Sequence, residues 1–188
     1  MTAATTTEQA LTQTAWEIDR AHSAVHFAVR HLAVSTVRGT IGGLHGSLAY
    51  DEEHPAAASV AVSIDVATIA TGDAARDAHL RSADFFDVER FPHAAFVSTR
   101  VEVAASGSVG RLSGELTIHG VTREVTLDVA ALGRARDQEG VERMGFTAAT
   151  TVDRRDFGLH WNQLLEAGGV LVSNEVRITI DLQVSRTV

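Results

Sequence analysis

Nine histidines and no cysteine define the chemistry open to this chain. Without thiols there are no disulfides, thiolate zinc sites, iron–sulfur clusters or cysteine nucleophiles, so a metal would have to rest on His, Asp and Glu. His22 and His26 have the four-residue spacing of helical zinc ligands. In an extended strand the same spacing separates the imidazoles by about 13 Å, too far to share an ion. No His-Glu-x-x-His string occurs. Asp77 and His79 stand two apart in a helix-like stretch between Arg76 and Arg81, and an acid beside a histidine can orient a general base. Residues at that offset point to different helix faces, so the expected role of the cluster is structural, tying an elbow to neighbouring loops. Ser23, Ser47 and Ser113 lack the Gly-x-Ser-x-Gly setting of an exposed nucleophile. Gly42-Gly43 lies inside a strand pattern rather than before a helix, which makes it a poor phosphate cradle. No catalytic centre, metal or cofactor is expected.

The elements that would carry these residues are strands. Apolar and polar residues alternate in Val25, Phe27, Val29 and His31, in Val60, Val62, Ile64 and Val66, in Leu116 and Ile118, in Val125, Leu127 and Val129, and from Val176 to Val184. Period-two runs predict eight strands, near 16–33, 37–50, 59–67, 94–103, 108–119, 121–132, 143–153 and 174–186. Short punctuated turns join them, which favours antiparallel neighbours, since parallel strands need long crossovers. One stretch breaks the period: Thr71 or Asp73 can cap a short helix running to about Ser82, followed by Phe85, Phe86, Phe91 and Pro92. A second insertion, Gly158 to Gly169, carries Trp161, Leu164 and Leu165 in another short helix or ordered loop.

Composition bounds the function. The 188 residues hold 16 basic and 24 acidic side chains, a net charge of -8, and no basic stripe that would contact nucleic acid. No apolar run reaches the roughly 18 residues of a membrane-spanning helix. The first residues lack the positive start and apolar stretch of an export signal, so a cytoplasmic location is expected. Residues 1–14 read as a disordered Thr/Ala-rich tail and 15–188 as one domain.

Strands this long make hazardous open edges, and closure removes them, so the expected fold is all-β: an extended eight-stranded antiparallel barrel with one or two short helices. Such a barrel is either filled by its own side chains or holds one small ligand. Its inward set is mostly Val, Ile, Leu and Ala, aromatics are only 5% of the chain, and Gly39, Gly42, Gly43 and Gly46 crowd one strand. The expectation is an apolar lumen lined by Phe27, Val29, Ile64, Leu116, Ile118 and Phe146, with Phe85, Phe86 and Phe96 near its mouth. Trp161 fits a core or a ligand-contact role equally, with Leu164 beside it. His31, the polar residue on an apolar face, fits a barrel-end histidine better than a headgroup ligand.

Several strings, in order, resemble the YceI-like proteins, which are lipocalin-like barrels. They are Trp16-Glu17-Ile18-Asp19 with His22-Ser23, Thr71-Gly72, and Arg76-Asp77-Ala78-His79-Leu80. Asp84-Phe85-Phe86-Asp87, Phe91-Pro92, Gly114 to Thr122, and Asp153-Arg154-Arg155-Asp156-Phe157-Gly158 continue the match. The resemblance implies a commonly dimeric barrel around a long apolar channel that binds polyisoprenoid or similar long-chain lipids unchanged. In the glycine-rich strand the chain carries Ile41 and Leu44 where the family often has phenylalanines. Two other readings stand beside the binding protein. One is an enzyme modifying such a lipid through His79 and Asp77 or the His22/His26 pair; the other is an interaction protein with a filled barrel.

Overall fold

The computed structural model describes residues 14–51, 53–103, 109–164 and 170–186. The tail assigned to 1–14 falls outside these residues except for Thr14, as does Leu165 of the second insertion. Among the described residues there are ten strands: β1 (Thr14–Ile18), β2 (Ala24–His31), β3 (Ser35–Ile41), β4 (Leu44–Tyr50), β5 (Ser59–Asp65), β6 (His93–Val103), β7 (Val109–Ile118), β8 (Val121–Arg136), β9 (Glu142–Asp153) and β10 (Val172–Arg186). The α-helix α1 spans Ala74–Arg81.

These ten segments make eight staves. The strand expected over 16–33 breaks at Asp19–Ser23, because the Asp19 carboxylate accepts the Ala21 N–H at 3.1 Å and turns the chain. The one expected over 37–50 breaks at Gly42-Gly43, where Gly43 takes φ +63°. Both β1 and β2 pair with β10, through Ile18↔Val184 and Val25↔Ile180, so they lie end to end along it. In the same way β4 pairs with β1 and β3 with β2. From β4 through β5, β6, β7, β8, β9 and β10 to β1 and back to β4, every pairing is antiparallel, and the barrel closes.

Beyond the Gly42-Gly43 break β3 diverges from β5, and the segment between Val66 and Pro92 crosses there as a lid. Thr40 and Ala70 exchange backbone hydrogen bonds of 2.9 and 3.0 Å, and Gly42 N–H donates to the Thr68 hydroxyl at 2.9 Å. At eight residues α1 is too short to persist alone. Asp73 caps it by accepting the Ala75 and Arg76 N–H groups at 3.0 Å. Buried Asp77 accepts the Thr71 N–H at 2.8 Å and its hydroxyl at 2.6 Å, and Arg81 donates to the Ala67 and Ile69 carbonyls at 2.7 and 2.6 Å. The charged cluster ties the elbow to the chain leading into it.

Two packed clusters bracket the interior. Trp16, Leu48, Met144 and Val184 form one; Phe96, Leu116, Leu127 and Phe157 form the other. Glycines let aromatic rings lie flat on the inner wall. A Cβ on Gly39 would sit 2.4 Å from the Phe27 ring, and one on Gly114 2.5 Å from the Phe96 ring.

Candidate functional site

Alternation along every stave turns one row of side chains inward, and together these rows leave a cavity of about 320 Å³ inside the barrel. The wall is almost wholly apolar: Val25, Phe27 and Val29 from β2, Val60, Val62 and Ile64 from β5, Val125, Leu127 and Val129 from β8, and Ile178, Ile180 and Leu182 from β10. Along β7 the lining runs from Ile118 to Gly110, eight residue steps. That is about 26 Å of strand at 3.3 Å per residue, or about 20 Å along the barrel axis after a typical strand tilt. The space is long and narrow, and it suits a single flexible chain better than a compact ring system.

The two ends differ. At the lid end the lining is sealed: Phe85 is 8% exposed, Leu159 6% and Phe157 1%. At the far end Val103 is 38% exposed, and Ala131, Glu102 and Arg111 are exposed as well. The lumen therefore opens away from the lid.

Nine of the twelve residues expected at the site line the cavity: Phe27, Val29, Ile64, Phe85, Phe86, Phe96, Leu116, Ile118 and Phe146. Phe146 meets Tyr50 edge-on at 5.9 Å. Phe85 and Phe86 stand at the sealed end rather than at the open mouth. The other three lie outside the wall. Trp161 packs behind Phe85, its ring 5.1 Å from Phe85 and 4.8 Å from His79. Leu164 is 83% exposed. His31 ends β2, half-buried, opposite Ser35 and Val172.

The remaining polar candidates are spent elsewhere. His79 bonds to Asp84 at 2.9 Å, while the Asp77 carboxylate accepts from Thr71, so the two do not form an acid–histidine couple. His22 lies against Asp19 at 3.0 Å and His26 against Asp181 at 3.2 Å, so each histidine has its own carboxylate.

One charged side chain buried in the lining enters the sequence analysis only as part of the Asp153–Gly158 string and not as a candidate site residue. Arg154, 5% exposed, opens the 3-10 turn Arg154–Phe157 at the lid end and reaches the cavity wall. Its Nε donates to Ser173 O at 3.0 Å, and one terminal nitrogen donates to Leu159 O at 2.6 Å and Trp161 O at 2.8 Å. Burial pushes its pKa down; neighbouring Asp153 opposes that shift and Arg155 adds to it. Asp153 is itself engaged by Arg155 at 2.6 Å, which holds the Asp153 carboxyl down at about 2. Periodicity does not reveal such a residue, because Arg154 follows the last residue of β9 and obeys no strand alternation. The missed wall residues Val60, Val62, Val125 and Ile178, by contrast, continue alternations already visible in the sequence.

A closed antiparallel barrel of eight staves around an apolar lumen defines a class: calyx-like binding barrels. The chain belongs to the YceI-like domain family, whose model matches residues 16–184. A UPF0312 protein of Enterobacter sp. strain 638 is 41% identical over 138 residues, 73% of this chain and 71% of that protein. A UPF0312 protein of Pseudomonas putida is 38% identical over 138 residues, with the same coverage. Among solved structures, BcnA of Burkholderia cenocepacia superposes with TM-score 0.76 at 24% identity, covering 88% of this chain and 98% of its own. A polyisoprenoid-binding domain from Saccharophagus degradans superposes with TM-score 0.65 at 16% identity over 92% and 98%. Both likenesses are of fold. Among the described residues no helix is long and apolar enough to cross a membrane.

Proposed function

We propose that this protein holds one long apolar molecule in its lumen and releases it chemically unchanged, with polyprenyl chains the first candidates and fatty acids or amides the second. The carrying observation is the continuous apolar cavity of about 320 Å³, sealed at the lid and open at the other end. The fold shared with the polyisoprenoid-binding domain from Saccharophagus degradans supports a prenyl chain as first choice. Affinity follows from area. Burying about 400 Å² of apolar ligand surface contributes roughly 10 kcal/mol before the cost of ordering the chain, leaving micromolar to nanomolar binding. The open lumen argues against a self-filled barrel whose function is its outer face. The separate engagement of His79 by Asp84 and of Asp77 by Thr71 argues against a catalytic couple.

Solvent extraction of freshly purified protein followed by mass spectrometry tests the proposal. A long-chain lipid in about equimolar amount is expected. Protein that carries none, and takes none up on incubation, overturns it. The same assay on His79→Ala separates the enzymatic reading, which requires a bound lipid of altered mass in that variant; an unchanged lipid is expected.

A further inference from the structure

Arg154 is a cation in an apolar wall. Among the described residues it makes no ion pair, and the nearest carboxylate in sequence, Asp153, is occupied on both oxygens by Arg155 at 2.6 to 3.2 Å. The guanidinium is held instead by neutral carbonyls: Ser173, Leu159 and Trp161 fill Nε and one terminal nitrogen with bonds of 2.6 to 3.0 Å. The second terminal nitrogen has only a marginal 3.5 Å contact with the Asn174 side-chain oxygen. A buried charge compensated by dipoles alone is costly, and a counter-anion would relieve that cost. Carbonyl bonding also fixes the plane of the guanidinium, so it presents its spare donors in a set direction.

We infer that Arg154 anchors the head of the lumenal ligand, and that this head is an anionic oxygen group, a carboxylate or a phosphate, seated at the lid end with the tail running toward the mouth at Val103 and Ala131. The inference rests on the proposed lipid-binding role and narrows it to acidic amphiphiles. The surroundings favour this orientation. Arg154 is itself 5% exposed, at the end of the lining where Phe157, Leu159 and Phe85 are also buried, so a charge-assisted bond formed there is less screened than one at the exposed end. The walls between offer almost wholly apolar contact to a tail.

The test is a set of chain-matched probes titrated into delipidated full-length protein: hexadecanoate, hexadecyl phosphate, hexadecanol and methyl hexadecanoate. The two anions are expected to bind roughly tenfold to a hundredfold more tightly than the alcohol and the ester. Whichever anion is tighter distinguishes a fatty acid head from a phosphorylated one. Arg154→Gln is expected to bring all four within about threefold of one another. Equal affinities in the parent protein overturn the inference while leaving the lumen proposal intact, because Arg154 would then serve only to pin the turn before β10. Failure of every probe to bind overturns both. Should Arg154→Gln fold poorly, the parent titrations alone decide, since they vary the ligand and not the protein.

Discussion

Ala148 offers a way to block the lumen without touching its ends. It lies on β9 between Phe146 and Thr150, opposite Val129 on one side and Ile180 on the other, with its methyl group in the cavity wall. Ala148→Phe would project about six additional ring carbons into space that ligand methylenes would otherwise fill, and at about 0.8 kcal/mol per buried methylene the displaced contacts amount to about 5 kcal/mol. A flexible chain recovers part of this by sliding toward the mouth, leaving a net loss of about 3 kcal/mol, roughly a hundredfold in Kd. Titration of a fluorescent long-chain lipid, or its displacement by an unlabelled one, reads the change. The fold should survive, because the ring enters a void and buries itself; a thermal midpoint no lower than the parent's is expected. Val97→Phe, at a half-exposed position on the outer face of β6, is the control and should leave affinity unchanged. An Ala148→Phe variant with intact circular dichroism and an affinity within about twofold of the parent would show that ligand does not pass this point, and the lumen reasoning would fail.

Gly39→Val forces a Cβ to within 2.4 Å of the Phe27 ring and 2.9 Å of the Ala70 carbonyl, so denaturant unfolding should show a loss of about 1–3 kcal/mol; unchanged stability contradicts the close approach. Asp77→Ala removes the buried acceptor of the half-buried Thr71 N–H and hydroxyl, and hydrogen exchange over Ile69–Thr71 should accelerate while the strands of the barrel retain their protection. Arg186, Arg136 and Arg134 together hold the Glu142 carboxyl down from the ordinary 4.5 to about 2. Because the folded-state pKa is depressed, the stabilisation is complete above about pH 4.5 and is lost as pH falls toward 2. Thermal midpoints measured across that window should fall less steeply for Glu142→Gln than for the parent, and parallel curves would refute the assignment.

Much of this architecture is legible in the sequence because a half-buried strand writes its two faces in alternate letters. Ile178, Ile180 and Leu182 face the lumen, while Arg177, Thr179 and Asp181 alternate with them. The antiparallel order follows from turns as short as His119-Gly120, where both residues adopt positive φ. The strand count was obscured because Asp19 and the Gly42-Gly43 pair interrupt hydrogen bonding without interrupting hydrophobicity, so two kinked staves each read as one long strand. The cavity wall was visible wherever alternation governs it, as at Phe27, Ile64, Phe96 and Leu116. It was obscure where loops place the residues. Leu164 and Trp161 are apolar, yet nothing in their neighbours says which way a loop turns them, and one is exposed while the other backs the lid. Arg154 carries the opposite lesson: a charge that composition assigns to the surface is held inside by three carbonyls contributed by residues five to nineteen positions away.

The most direct test of the lumen as a lipid site is a crystal structure of the protein soaked or copurified with a single long-chain lipid. Continuous density is expected to thread the barrel past Phe96 and Ala148, with the tail emerging between Val103 and Ala131. Density confined to the outer surface, with the interior still empty at saturating lipid, would contradict it.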